Sequence, residues 1–178
     1  MVNLLAERIK STISIILLLQ EIPMMIRIIP FTTATRDFVR KLNYEWLEKY
    51  FTVEPNDALH LSDPETYILA KGGDIFYAEE GGDIIGTYSL LKLDEGVYEL
   101  GKMATTASAQ GKGVGNLMIT HCIEEARKRK AVKLILFSNT KLEPAIHLYR
   151  KFGFREVPLE HSTYVRSNIK MELDLSQD

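Results

Sequence analysis

The sequence predicts a three-layer α+β domain with a mostly antiparallel central sheet. Three observations carry that prediction. Three apolar-alternating runs follow one another with only short turn-forming breaks between them, two later segments have helical apolar spacing, and a wholly apolar run separates those two segments. A chain that runs through consecutive strands and then alternates helix, strand and helix must cover a sheet with helices to bury its apolar faces. At 178 residues it is long enough for one sizeable core, which is assigned to residues 25–178, with residues 1–24 as an extension.

Within the extension, Leu5, Ile9, Ile13, Ile16 and Leu17 recur at helical spacing between polar residues. This suits an amphipathic helix docked on the domain or on a second subunit, the latter giving a homodimer. The alternative is a segment upstream of a start at Met24 or Met25. Its apolar core "ISIILLL" is far short of the roughly 20 residues a membrane span requires, and no small-residue cleavage pattern follows it. No membrane role is expected.

"IRIIPF" reads as the first strand. Residues 35–50 follow as a helix with Phe38, Leu42, Trp46, Leu47 and Tyr50 on its apolar face and Thr33 or Thr35 as cap. "FTVEPNDALHLSDPETYIL", rich in Pro, Asp and Asn, predicts a loop with a short helix near Asp63–Leu69. "DIFYAEE", "DIIGTYSLLKL" and "VYELGKMAT", broken by Gly81-Gly82 and by Asp94-Glu95-Gly96, form a meander of three antiparallel strands. Asn116 to Lys130 is a helix whose Leu117, Ile119, Cys122, Ile123 and Ala126 mark one face and whose "RKRK" end suits the negative pole of a helix. "VKLILFS" is a buried strand. "EPAIHLYRKF" is a helix with Pro144 in its first turn and Gly153 at its end. One or two strands close the chain, the last in "SNIKMELDL".

Composition narrows the function. A formal net charge of −2 gives no reason to expect nucleic acid as partner. Residues 54–99 carry eleven Asp/Glu against two Lys/Arg, and residues 100–178 carry thirteen Lys/Arg against eight Asp/Glu. That asymmetry suits a cationic substrate beside an anionic cofactor, or else solvated surface charge. The single cysteine, Cys122, rules out an intrachain disulfide and fits a reducing cytoplasm. The four histidines have no metal-ligand spacing, so no metal is expected.

"QGKGVGNLM" places three glycines between the third meander strand and the next helix. Unpaired N–H groups at a helix start make an anion site, and glycines remove the side chains that would hold a phosphate away. The stretch fits neither the Walker loop, since Lys112 is followed by Gly113, nor the dinucleotide fingerprint, since position 116 is Asn. It does match Q/R-x-x-G-x-G/A through Gln110, Gly113 and Gly115.

With "YELGKMATTASAQGKGVGNLM", an apolar strand and "PAIHLYRKFGF" in that order, the chain resembles the GNAT superfamily of N-acetyltransferases from about Met25 onward. The resemblance implies a GNAT-like fold splayed between the strand ending near Thr105 and the strand Lys133–Ser138. It also implies acetyl-CoA as acyl donor and a small-molecule or protein amine as acceptor. On this sequence Met103 and Thr105 would offer backbone to pantetheine, and Gln110, Gly111, Lys112, Gly113, Val114 and Gly115 would hold the pyrophosphate. Glu99 would be the general base, or else an exposed strand carboxylate. Tyr149 would protonate the departing thiolate, or else be a core aromatic. Trp46, Glu54 and Asp57 would receive a cationic amine, or else serve as cap and loop staple.

Three departures from the family pattern stand out. "ATTASAQ" lacks the usual aliphatic residue and proline turn, and Gln110 replaces the commoner Arg. The family asparagine would fall at Leu142, leaving Asn139 as the nearest substitute for the cofactor contact. A non-catalytic acyl-CoA sensor is the competing function.

Overall fold

The computed structural model describes residues 25–160, 162 and 164–176. The helix expected within residues 1–24 lies outside the described residues, as does His161.

Strand β1 (Arg27–Pro30) leads through a single 3-10 turn into helix α1 (Arg36–Tyr50). Thr35, one of the two threonines named from sequence, is the N-cap of α1 but makes no side-chain cap bond there, and Thr32 caps the 3-10 turn before it. The Thr32 side chain accepts from the Thr35 amide and Thr35 reciprocates, forming a capping box. Val39, Leu42, Asn43 and Leu47 form the buried stripe of α1, while Tyr50 is exposed. The segment read as a loop with one short helix contains two: α2 (Pro55–Ser62), where loop was expected, and α3 (Pro64–Tyr67), within the expected Asp63–Leu69. Both carry proline in the first turn, where its missing N–H costs nothing, and Leu61 buries against the core. Composition suggested a loop there, but tertiary packing made a helix of α2.

The meander is β2 (Asp74–Glu80), β3 (Asp83–Asp94) and β4 (Val97–Thr105). Helix α4 (Val114–Lys128) starts two residues before the expected Asn116, and β5 (Lys133–Ser138), α5 (Glu143–Lys151), β6 (Arg155–Val157) and β7 (Ile169–Asp174) follow. The sheet order is β1-β2-β3-β4-β5-β7-β6, antiparallel throughout except where β4 meets β5. On one face α4 and α5 bury Met118, Ile119, Cys122, Ala126 and Ile146 against Tyr88, Leu100, Leu134 and Leu136. On the other, Val39, Leu47 and Leu61 pack on Ile75, Tyr77 and Leu91. The result is the expected three layers.

The parallel pairing of β4 with β5 covers only Val97↔Lys133, Tyr98↔Leu134 and Glu99↔Ile135. Beyond Glu99 no residue of β4 pairs with β5, so the sheet forks there. Among the described residues no helix is long and apolar enough to cross a membrane.

Candidate active site

The fork coincides with an irregularity in β4 itself. Ser89 stands opposite Gly101 and Thr87 opposite Ala104, so two steps along β3 match three along β4. The extra residue is a β-bulge, and Lys102 within it has φ +49, an uncommon value for a residue with a side chain. Two contacts hold the bulge. The buried Asn43 of α1 donates through Nδ2 to the Lys102 carbonyl at 3.1 Å and to the Val39 carbonyl at 2.8 Å. The Lys102 ammonium reaches Asp57 Oδ1 at 2.8 Å and the Tyr164 hydroxyl at 3.1 Å.

Glu99, the last residue of β4 to pair with β5, carries a buried carboxyl. Burial pushes it up to about 7, against the opposing pull of Lys102, the Tyr164 hydroxyl and Arg166. Tyr164 donates to Glu99 Oε1 at 3.4 Å while accepting from Lys102, so one hydroxyl bridges the two charges. Burial also tends to raise Asp57, but Lys102 and Arg166 outweigh it and hold that carboxyl below its usual range. The ammonium of Lys102 is lowered by burial, with Asp57 and Glu99 opposing.

A cavity of about 210 Å³ opens at the fork. The end of α1 contributes Trp46, Tyr50 and Phe51 to its wall, β4 contributes Glu99 through Thr105, and β5 contributes Phe137 and Ser138. Gln110, Asn139, Leu142, Ala145 and Tyr149 line it from the helical side, and Tyr164, Arg166 and Ser167 complete it. Glu99, Tyr149, Met103, Thr105, Gln110, Asn139 and Trp46 are therefore brought to one cavity. Burial pushes the Tyr149 phenol up to about 12, and its ring packs on Phe154 at 5.9 Å between centroids.

Gly111 and Gly113 have φ of +78 and +81, and a Cβ at either would meet nothing within 4 Å. They are glycines for their backbone angles, and they leave the amides at the start of α4 uncovered; Gly113 is the N-cap and supplies no side-chain bond. Gly115 answers a different need, since a Cβ there would stand 2.8 Å from Leu148 Cδ2 of α5. Val114 is buried in the core, and Lys112 pairs with Glu80 at 3.2 Å on the surface.

Glu54 and Asp57 are not among the residues lining the cavity. Glu54 accepts from the Val165 and Arg166 amides at 2.9 and 2.8 Å and pairs with the Arg166 guanidinium at 3.4 Å. Asp57, wholly buried, takes Lys102 on one oxygen and the Arg166 guanidinium on both. Asn139 donates to the Arg166 carbonyl at 2.6 Å and accepts from the Lys141 amide at 2.9 Å. Its amide thus fastens the Tyr164–Ser167 segment.

Sequence reasoning missed Lys102, Tyr164, Arg166 and Asn43. Lys102 had a signal. Strict alternation from Tyr98 and Leu100 places an apolar residue at 102, and a lysine there marks a strand whose alternation is broken. Tyr164 and Arg166 lie in a tail without periodicity, and nothing local announces them.

The acetyltransferase (GNAT) family model matches residues 37–154. An uncharacterized N-acetyltransferase of Bacillus subtilis (strain 168), YvbK, is 29% identical over 132 residues, spanning 70% of this chain and 85% of that protein. An acetyltransferase of the GNAT family from Staphylococcus aureus Mu50 superposes with a TM-score of 0.77 at 20% identity, covering 85% of this chain and 99% of that one. The spermidine N-acetyltransferase of Vibrio cholerae, solved with CoA and spermine, gives 0.66 at 19% identity over 85% and 96%. With the family match running from α1 to the end of α5 and the sheet forked at Glu99, the chain belongs to the acetyltransferase (GNAT) family and is an acyltransferase.

Proposed function

We propose that this protein transfers an acetyl group from acetyl-CoA to a small-molecule amine by direct attack, with Glu99 as general base and Tyr149 as general acid. The observation that carries the reading is the position of Glu99, a buried carboxyl with its proton affinity raised, at the point where β4 parts from β5. The residues present fit the donor. The fork leaves Met103 and Thr105 lining an open cavity, and the loop at Gly111 and Gly113 has no side chains where a pyrophosphate would approach the amides from Gly111 to Gly115. When bound, acetyl-CoA supplies an activated thioester carbonyl.

Glu99 takes the proton that the acceptor must lose. An alkyl ammonium near pKa 10.4 sits about 6 units above an ordinary glutamate, and a carboxyl near 7 closes that gap by about 3 kcal/mol. The Tyr164 hydroxyl, itself held by Lys102, holds the carboxyl from one side. Tyr149 keeps its proton through neutral pH, and delivers it where the thiolate departs. Burial disfavours a thiolate in the same cavity too, so donor and recipient shift in the same sense. Cys122 is buried in the core and burial raises its thiol, so it is not placed to carry an acyl group.

Thiol release on mixing the protein with acetyl-CoA and an amine panel tests the reading. Glu99→Gln and Tyr149→Phe together should abolish turnover while acetyl-CoA still raises the melting temperature, because a ligand at 100 times its Kd adds about 2.7 kcal/mol. Turnover that survives both substitutions removes these residue roles.

A further inference from the structure

The wall of the cavity that faces α1 says what kind of amine fits, if the cavity receives the acceptor as proposed above. Glu99 is the one carboxylate among the described lining residues, and the lining also carries two cations, Lys102 and Arg166. The acids that a polycation would seek nearby, Asp57 and Glu54, are taken by those same two cations and by the Val165 and Arg166 amides. Two of the aromatic rings carry these cations as well. Lys102 Nζ lies 4.6 Å from the Tyr164 ring centroid, and the Arg166 guanidinium lies 4.7 Å from that ring and 5.8 Å from Trp46. An ammonium remote from the reacting nitrogen therefore finds two like charges and no free carboxylate. A carboxylate fares little better, since both cations are already turned toward Asp57 and Glu54. What remains on offer is flat apolar surface from Tyr50, Phe51 and Phe137, with Trp46 shared with Arg166.

We infer that the acceptor is a monoamine carried on an aromatic body, and that the Lys102–Asp57–Arg166 cluster excludes polyamines from this site. The aromatic body lies along the end of α1, and its one nitrogen points to Glu99. Arg166 is the specificity residue: it pairs with both Asp57 and Glu54 and covers the Tyr164 and Trp46 rings.

The test compares phenethylamine, spermidine and phenylalanine as acceptors for the full chain with acetyl-CoA. The expected result is a kcat/KM for phenethylamine at least tenfold above either of the others. Arg166→Gln, which takes the guanidinium off Asp57 and off the Trp46 face, should raise the spermidine-to-phenethylamine ratio at least fivefold. Trp46→Ala should raise the KM for phenethylamine about tenfold, and it keeps the test open if Arg166→Gln does not fold. Equal or better use of spermidine or phenylalanine by the unaltered protein overturns the inference. So does a ratio unmoved in both variants when circular dichroism shows them folded. If no amine is turned over although acetyl-CoA raises the melting temperature, the proposed function fails by itself. Calorimetry with CoA present then decides the acceptor class: tighter binding of phenethylamine than of spermidine upholds it, and the reverse overturns it.

Discussion

Lys102 Nζ lies 2.8 Å from Asp57 Oδ1, with the lysine side chain 3% exposed and the aspartate fully enclosed. The pair joins β4 to α2 beneath the cavity, and it explains how a lysine can occupy the interior of a strand. Removing Asp57 strands the lysine charge away from water, whereas Asp57 without Lys102 still has Arg166. Asp57→Ala should therefore destabilise the fold by about 3–5 kcal/mol in urea titrations. Asp57→Leu combined with Lys102→Met should recover part of that loss, because the pair is then replaced by apolar volume. A double variant no more stable than Asp57→Ala would show that the ion pair is not what the single change breaks.

As the proposed base, Glu99 sets activity and stability against each other. Its carboxyl is raised from an ordinary 4.5 to about 7 by burial, so the folded protein holds a proton between those values that the unfolded chain has already lost. Stability from this group is fully present below pH 4.5 and declines as pH rises to 7, by about 3 kcal/mol in all. Glu99→Gln should remove that decline. It should be up to about 3 kcal/mol more stable than the parent at pH 8, show no gain at pH 4.5, and lose about 10²-fold or more in kcat. Equal stability at both pH values would contradict the burial argument.

The parent enzyme should lose kcat/KM below about pH 7 as Glu99 takes up its proton. Tyr164→Phe removes the hydroxyl that favours the charged carboxylate, so the acid limb should move to higher pH. It also removes a partner of Lys102, at a cost of about 1–2 kcal/mol. A profile that stays in place while stability falls would leave Tyr164 a structural residue only.

Gly113→Ala tests the loop. At φ +81 an L-residue is strained by about 1–2 kcal/mol, although the space around the new methyl is open. The expected outcome is a KM for acetyl-CoA raised about tenfold with kcat little changed. Gly113→Asn, which tolerates the left-handed region better, should fall between the two.

The architecture was legible because its elements are locally determined. Gly81-Gly82 and Gly96 announced the meander, and the apolar run at β5 and the proline and glycine bounds of α5 left little choice. Glu99, Tyr149 and the glycine loop were legible through motif order. Lys102, Asp57 and Arg166 meet across separations of 45 and 109 residues. Such a cluster exists only once the bulge, α2 and the tail have been packed together. The same holds for α2 itself, whose Pro, Asn and Asp argued for a loop until Leu61 found the core.

The carboxamide of Asn43 grips α1 at Val39 and the bulge at Lys102 with a single nitrogen, while its oxygen accepts from the Trp46 indole at 3.3 Å. The Trp46 wall of the cavity and the bulge that follows Glu99 on its strand therefore share one mechanical anchor. A change that reshapes that helix to alter the cavity wall cannot do so without also moving the strand that carries Glu99.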